Sequence, residues 1–159
     1  MSTSDQIDKA RVLRLSLHGR LIGYLADVQQ LARRLLVNIL LANGDAHLKN
    51  WSLYYPDQKT PRLSPAYDIL TTRLFIEGES KFALNLANSK EWYQVSMEHF
   101  KTWSDKSGIP WRVIKPHLDD TLDKARTLWP TALRELPVDD LHRDVLRDHW
   151  GRLHGEFRV

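Results

Sequence analysis

The strongest constraint on what this chain can fold into is one helical stripe. Val28, Leu31, Ala32, Leu35, Leu36, Ile39 and Leu40 fall at offsets 0, 3, 4, 7, 8, 11 and 12, the spacing of one face of a helix with 3.6 residues per turn. Val37 and Leu41 carry the apolar surface almost round the cylinder, leaving Arg33, Arg34 and Asn38 as the main polar positions. A helix covered this way belongs at the centre of a core rather than at its edge. Asp27 is expected to cap its start, with Gln30 reaching back, and Asn43-Gly44 to end it in the left-handed conformation. Such a helix needs partners, and 159 residues supply one domain of ordinary size.

The partners are read from the rest of the chain. Residues 11 to 25, RVLRLSLHGRLIGYL, put Leu13, Leu15 and Leu17 on one face and Arg14 and Ser16 on the other, with His18-Gly19 as a turn. That alternation predicts a β-hairpin. After the central helix, Trp51 to Tyr55 reads as a short strand, Pro56-Asp57 as a turn and Arg62-Leu63-Ser64 as the return strand. Pro65 then bounds a compact segment, Tyr67 to Leu70, and the apolar stretch Phe82 to Leu86 has no decisive period. Helices are expected near 94 to 107, 111 to 129 and 138 to 157, broken by Gly108-Ile109-Pro110 and by Trp129-Pro130 with Pro137. Pro116 should kink the second of these. The fold class predicted is α+β, rich in helix.

Composition narrows the function. With 42% hydrophobic and 27% charged residues but only seven Gly and seven Pro, the chain is neither collagen-like nor disordered. The absence of Cys removes disulfides, thiolate zinc sites and cysteine nucleophiles together, and suits a reducing compartment, with the cytoplasm as the default. Leu35 to Ala42 is far short of a membrane span, and MSTSDQIDKA lacks the basic start and apolar run of a secretory signal, so no membrane association is expected. A net charge of +3 is too small to imply a nucleic-acid partner. His142, His149 and His154, placed on the last helix, read as solvated histidines, and the six Trp as core packing.

The segment Asn43-Gly44-Asp45-Ala46-His47-Leu48-Lys49-Asn50 concentrates polar residues directly after the central helix. A kinase catalytic loop needs a carboxylate to orient and deprotonate the substrate hydroxyl, and an Asn five residues later to hold magnesium. Asp45 and Asn50 have that separation. A second carboxylate must reach the metal from a separate segment, and Asp68 follows the hairpin that would return the chain there. Lys49 can offset the charge of a transferring phosphoryl group. Asn-Gly-Asp is equally an ordinary turn sequence, and Asp68 can equally cap a turn.

The longer string NGDAHLKNWSLYYPDQKTPRLSPAYDIL resembles the catalytic and metal-binding segments of the HipA-like serine/threonine kinases, the toxins of bacterial toxin-antitoxin pairs. The resemblance lies in D-x-H-x-K-N, an apolar strand, Tyr-Pro-Asp and Leu-Ser-Pro-x-Tyr-Asp. It implies that Asp45 is the catalytic base, that Asn50 and Asp68 bind the cofactor metal, and that His47 and Lys49 support the loop. It also implies Mg2+ and ATP as cofactors, a protein Ser or Thr as phosphate acceptor, and a HipB-like DNA-binding antitoxin as partner, with no direct nucleic-acid contact by this chain. Residues 27–159 resemble that family's helical C-terminal lobe, and residues 1–26 the small hairpin module that opens its members. The elements that grip nucleotide have no room between Leu25 and Asp27, and none of the seven glycines forms Gly-x-Gly. Weak or absent ATP and metal binding and no activity are therefore expected of this chain alone. The alternative function is a remnant that binds the antitoxin or another protein without turnover.

Overall fold

The computed structural model describes the backbone of residues 21–159 and the side chains of residues 25–159. Its central element is α1 (Leu21–Leu40). Val28, Ala32, Leu36, Ile39 and Leu40 are all buried, as the stripe requires. They pack chiefly against α3 (Trp111–Glu135), whose Ile114, Leu118, Leu122 and Ala125 form a matching apolar row. Each large aliphatic side chain buried there stabilises the fold by roughly 1.5–3 kcal/mol. Polar groups flank the seam: Arg33 Nη2 lies 2.7 Å from His117 Nδ1 and 3.2 Å from Asp120 Oδ2. Phe100 from α2 (Met97–Ser107) and Phe157 meet edge to face at 6.0 Å and close the core below. Among the described residues, no helix is long and apolar enough to cross a membrane.

The start of α1 corrects two expectations. Leu21 to Leu25, expected as the second arm of a hairpin, is helical, so the boundary drawn between residues 26 and 27 falls inside a helix. Leu21, Leu25, Val28 and Ala32 keep the helical spacing, and the single Gly23 costs only about 1 kcal/mol against it. The first arm of the hairpin and its turn lie outside the described residues. Asp27 is consequently not a cap but an interior residue, 5% exposed. Its carboxylate takes two hydrogen bonds from Arg62, Nε at 2.9 Å and Nη2 at 3.1 Å.

That pair ties α1 to a small hairpin, in which β1 (Leu53–Tyr54) runs antiparallel to β2 (Arg62–Leu63), Leu53 opposite Leu63 and Tyr54 opposite Arg62. The turn between them is closed by Asp57, whose carboxylate accepts the Thr60 and Lys59 amides at 2.6 and 3.0 Å. Chiefly the Thr60 amide pulls the Asp57 pKa down to about 2. Arg62→Ala would strand the buried Asp27 charge. Because Arg62 is itself one-third exposed, the expected loss is about 2–3 kcal/mol, below the full cost of breaking a fully buried pair. Urea denaturation should show it, and adding Asp27→Asn should restore part of the loss.

The stretch left open by the sequence is a strand. β3 (Lys81–Leu86) pairs with β4 (Ser89–Glu91), and the connecting Ala87 and Asn88 both have positive φ, 49° and 75°. Two left-handed residues make the mirror-image turn whose twist matches that of a hairpin. Ala87 is a poor advertisement for it, which is why the period alone did not decide.

The last helices match in number but not in bounds. α3 continues through both Pro116 and Pro130 to Glu135 instead of stopping at 129. The turn beyond Pro130 has its own anchors, with Leu133 buried and the Trp129 and Trp150 rings 6.3 Å apart, and these outweigh the one backbone bond that proline removes. α4 (Asp140–Arg152) is capped by Asp139, whose carboxylate accepts the His142 amide at 2.8 Å, and a separate short turn, Gly155–Phe157, follows it. His149 is not solvated: it is fully buried between Trp92 and Tyr93, at ring separations of 5.3 and 5.6 Å. Its Nε2 donates to the Ile39 carbonyl at 2.7 Å, and Trp150 Nε1 donates to the Leu40 carbonyl at 2.9 Å. α4 thus satisfies carbonyls that the last turn of α1 leaves without intrahelical partners.

Candidate active site

Beyond Leu40 the chain turns at Ala42, which adopts φ 54°, so the left-handed residue is Ala42 and neither Asn43 nor Gly44. Thr72, in the short turn Thr72–Leu74, receives the next segment: its Oγ1 accepts the Gly44 amide at 2.6 Å and faces Glu79 Oε2 at 2.7 Å. Gly44 is required for space rather than for φ. A Cβ there would collide with the Glu79 carboxylate and sit 2.9 Å from the Lys81 carbonyl.

The loop then presents the residues singled out by the sequence. Asp45 is well exposed, and the His47 Nε2 lies 3.7 Å from its Oδ1. The turn Leu48–Asn50 folds the chain back, with the Asn50 amide donating to the His47 carbonyl at 3.0 Å. This brings the Asn50 side chain over the loop, where its Nδ2 donates to the Asp45 carbonyl at 3.0 Å and to Asp68 Oδ2 at 2.6 Å. The Asn50 and Asp68 side chains and the Asp45 backbone therefore meet, from two segments separated by the β1–β2 hairpin, while the Asp45 carboxylate faces His47. Lys49 is exposed on the same loop, and its carbonyl is held by the Tyr67 hydroxyl at 2.9 Å, which also meets Ser52 Oγ at 2.6 Å.

Several contributors went unread in the sequence. Asn43, completely buried, donates through Nδ2 to Asn38 Oδ1 at 2.7 Å and to the Asp68 carbonyl at 3.1 Å, while its Oδ1 accepts the Asp45 amide at 3.1 Å. Asn38 Nδ2 reaches the Arg34 carbonyl at 2.7 Å, and Arg34 Nη1 donates to the Ser64 carbonyl at 2.6 Å. Burial holds the Arg34 pKa below its ordinary value. The available signal was the pair of polar residues Arg34 and Asn38, one turn apart in the most apolar part of the helix. A shallow depression beside it is lined by Arg34, Asn50, Trp51, Tyr67 and Asp68.

The donor set can be tested against a metal. No group of three or more His, Asp or Glu side chains among the described residues forms a self-sufficient cage. Asp68 and Asn50 do offer hard donors side by side at an exposed position, and turning the Asn50 amide over would present its oxygen beside the Asp68 carboxylate. That fits magnesium, which keeps several waters and draws further ligands from substrate phosphates.

The family model for the HipA-like C-terminal domain matches residues 8–129. The chain belongs to that family. Among curated relatives, "Putative kinase Y4dM" of Sinorhizobium fredii (strain NBRC 101917 / NGR234) is 37% identical over 134 residues, covering 82% of this chain and 33% of its own length. "Putative kinase Y4mE" of the same strain is 25% identical over 121 residues, 76% of this chain and 28% of that protein. The HipA-like chain thus spans about a third of the length of these relatives. Its fold matches, at a TM-score of 0.68 and 19% identity, a solved chain from the Shewanella oneidensis MR-1 toxin-antitoxin complex of HipA, HipB and operator DNA, covering 88% of this chain and 32% of that one. The α-rich α+β architecture is accordingly that of a HipA-like C-terminal domain.

Proposed function

We propose that this chain carries the catalytic base and the metal-holding side chains of a HipA-like kinase that transfers the ATP γ-phosphate to a protein Ser or Thr, within a toxin-antitoxin pair whose other member is a HipB-like DNA-binding protein. The observation that carries this reading is the Asn50 amide, bonded at once to the Asp45 carbonyl and to the Asp68 carboxylate. The exposed Asp45 carboxylate is free to accept the proton of an acceptor hydroxyl. His47 stands beside Asp45, and the exposed Lys49 would offset the charge of the phosphoryl group. Asn50 and Asp68 would hold magnesium, which when bound neutralises charge on the phosphates. A second reading, a module that binds the antitoxin without turnover, draws its support from the absence of any Gly-x-Gly in the sequence. On either reading the cytoplasm is the expected setting.

The metal arm is directly testable on this chain. Manganese, standing in for magnesium, should broaden the resonances of Asn50 and Asp68 at roughly millimolar concentration, because few protein ligands are present without nucleotide. Asp68→Ala should remove the broadening. Broadening spread evenly over other exposed carboxylates would reject the site, and micromolar binding would reject the view that phosphates must complete it.

A further inference from the structure

Asp68 has φ 56°, a left-handed backbone that Asp tolerates better than most residues but rarely adopts unaided. Its carbonyl is engaged by one side chain, the Nδ2 of Asn43 at 3.1 Å. The opposite end of the same amide accepts the Asp45 N–H at 3.1 Å, and its second Nδ2 bond goes to Asn38 Oδ1 at 2.7 Å. One buried planar group therefore spans three pieces of chain: the polar pair of α1, the loop bearing Asp45 and the segment bearing Asp68. Asn38 is in turn anchored to the Arg34 carbonyl, and Arg34 grips Ser64, four residues before Asp68.

We infer that Asn43 is a positioning residue for this site: its amide sets the separation between the base loop and the metal-holding segment by bonding both to the rigid central helix. This deepens the proposed reading and rests on it, since the two arms matter only if base and metal must act on one phosphate. Asn43 bonds to the backbones of Asp45 and Asp68 rather than to their carboxylates, so its effect on them must pass through the backbones it holds. A fixed amide suits this task better than a hydroxyl or carboxylate, because it donates at one end and accepts at the other without charge in a site from which solvent is excluded.

The test uses the Asn50 side-chain amide, read by proton–nitrogen correlation spectroscopy on the whole chain. In the parent its two protons serve two different oxygens, so their resonances should be well separated and their exchange with solvent slow. Asn43→Ala should collapse the pair toward the values of a solvated Asn while α2, α3 and α4 keep their backbone shifts. Asn43→Ser, which leaves a hydroxyl for water to bridge, should give the same collapse and serves if the alanine variant does not fold. In parallel, manganese affinity at Asn50 and Asp68 should fall by about 10- to 100-fold, the usual effect of removing a group that orients metal ligands. A variant that melts at lower temperature but keeps the parent's Asn50 amide signature would overturn the inference and leave the proposed function standing. Loss of the signature in a chain whose parent shows no selective manganese broadening would support the positioning role and defeat the metal reading.

Discussion

Incubated with labelled ATP, the purified chain should transfer no phosphate to itself or to added protein, and Asp45→Asn should give the same background. Phosphoryl transfer is mostly positioning and charge stabilisation, and holding reactants in line can supply about 7–11 kcal/mol of the barrier. In the proposed reading Asp45, Asn50 and Asp68 would supply the base and the metal arms. Nothing in the sequence supplies a glycine-rich cover over the phosphates, since the seven glycines include no Gly-x-Gly. Loss of that alignment should cost far more rate than loss of one side chain. Incorporation by the parent that disappears in Asp45→Asn would show that these 159 residues suffice and would overturn the expectation. If a second polypeptide bearing the nucleotide-gripping elements restores activity, Asp45→Asn should then lower it by about 10²–10⁴-fold, the usual contribution of a general base.

The second large effect is on stability and depends on acid. Burial is the main cause that pushes the His149 pKa from 6.5 down to about 4, with Arg73 and Arg152 acting in the same direction against the Ile39 carbonyl bond and Asp148. The Tyr93 hydroxyl also faces the ring, 3.4 Å from Nδ1. Folded His149 is neutral across that interval, whereas the unfolded chain protonates it near 6.5, so the unfolded state binds more protons there. Stability is therefore complete above pH 6.5, falls by about 3 kcal/mol as the pH drops to 4, and changes no further from this group below that. His117, also lowered by burial, adds a smaller part in the same direction because it is partly exposed. The lowered carboxylates Asp57, Asp120, Asp139 and Asp148 lose their contributions mainly below 3.8, with only a minor onset inside this window. Urea midpoints measured at pH 7 and pH 4.5 should differ strongly in the parent. In His149→Gln, which keeps an N–H donor for the Ile39 carbonyl and cannot titrate, most of the difference should vanish. A parent with equal midpoints, or a variant with an unchanged slope, would refute the assignment.

These expectations show where the sequence was sufficient. The central helix was legible because its apolar offsets depend only on the periodicity of the backbone, and the hairpin at 53–63 because Pro56-Asp57 announces a turn locally. The loop from Asn43 to Asn50 and the position of Asp68 were legible for the same reason: spacing along the chain carries the pattern of the candidate site. What spacing could not supply was which polar group meets which across a long separation. Asp27 looked like a cap until Arg62, 35 residues away, took its carboxylate into the core. His149 looked solvated until α4 was laid against the end of α1, 110 residues distant, where a carbonyl without an intrahelical partner rewards a buried donor. Asn43 looked like a helix stop, yet the left-handed turn went to Ala42, leaving the Asn43 amide to join three segments. The sequence by itself determined the central helix, the hairpin at 53–63 and the identity of the candidate residues, because these are written in local periodicity and spacing. Tertiary structure alone decided the burial and bonding of each polar group, because the cost of an unpaired donor or acceptor arises only once the elements have closed around it.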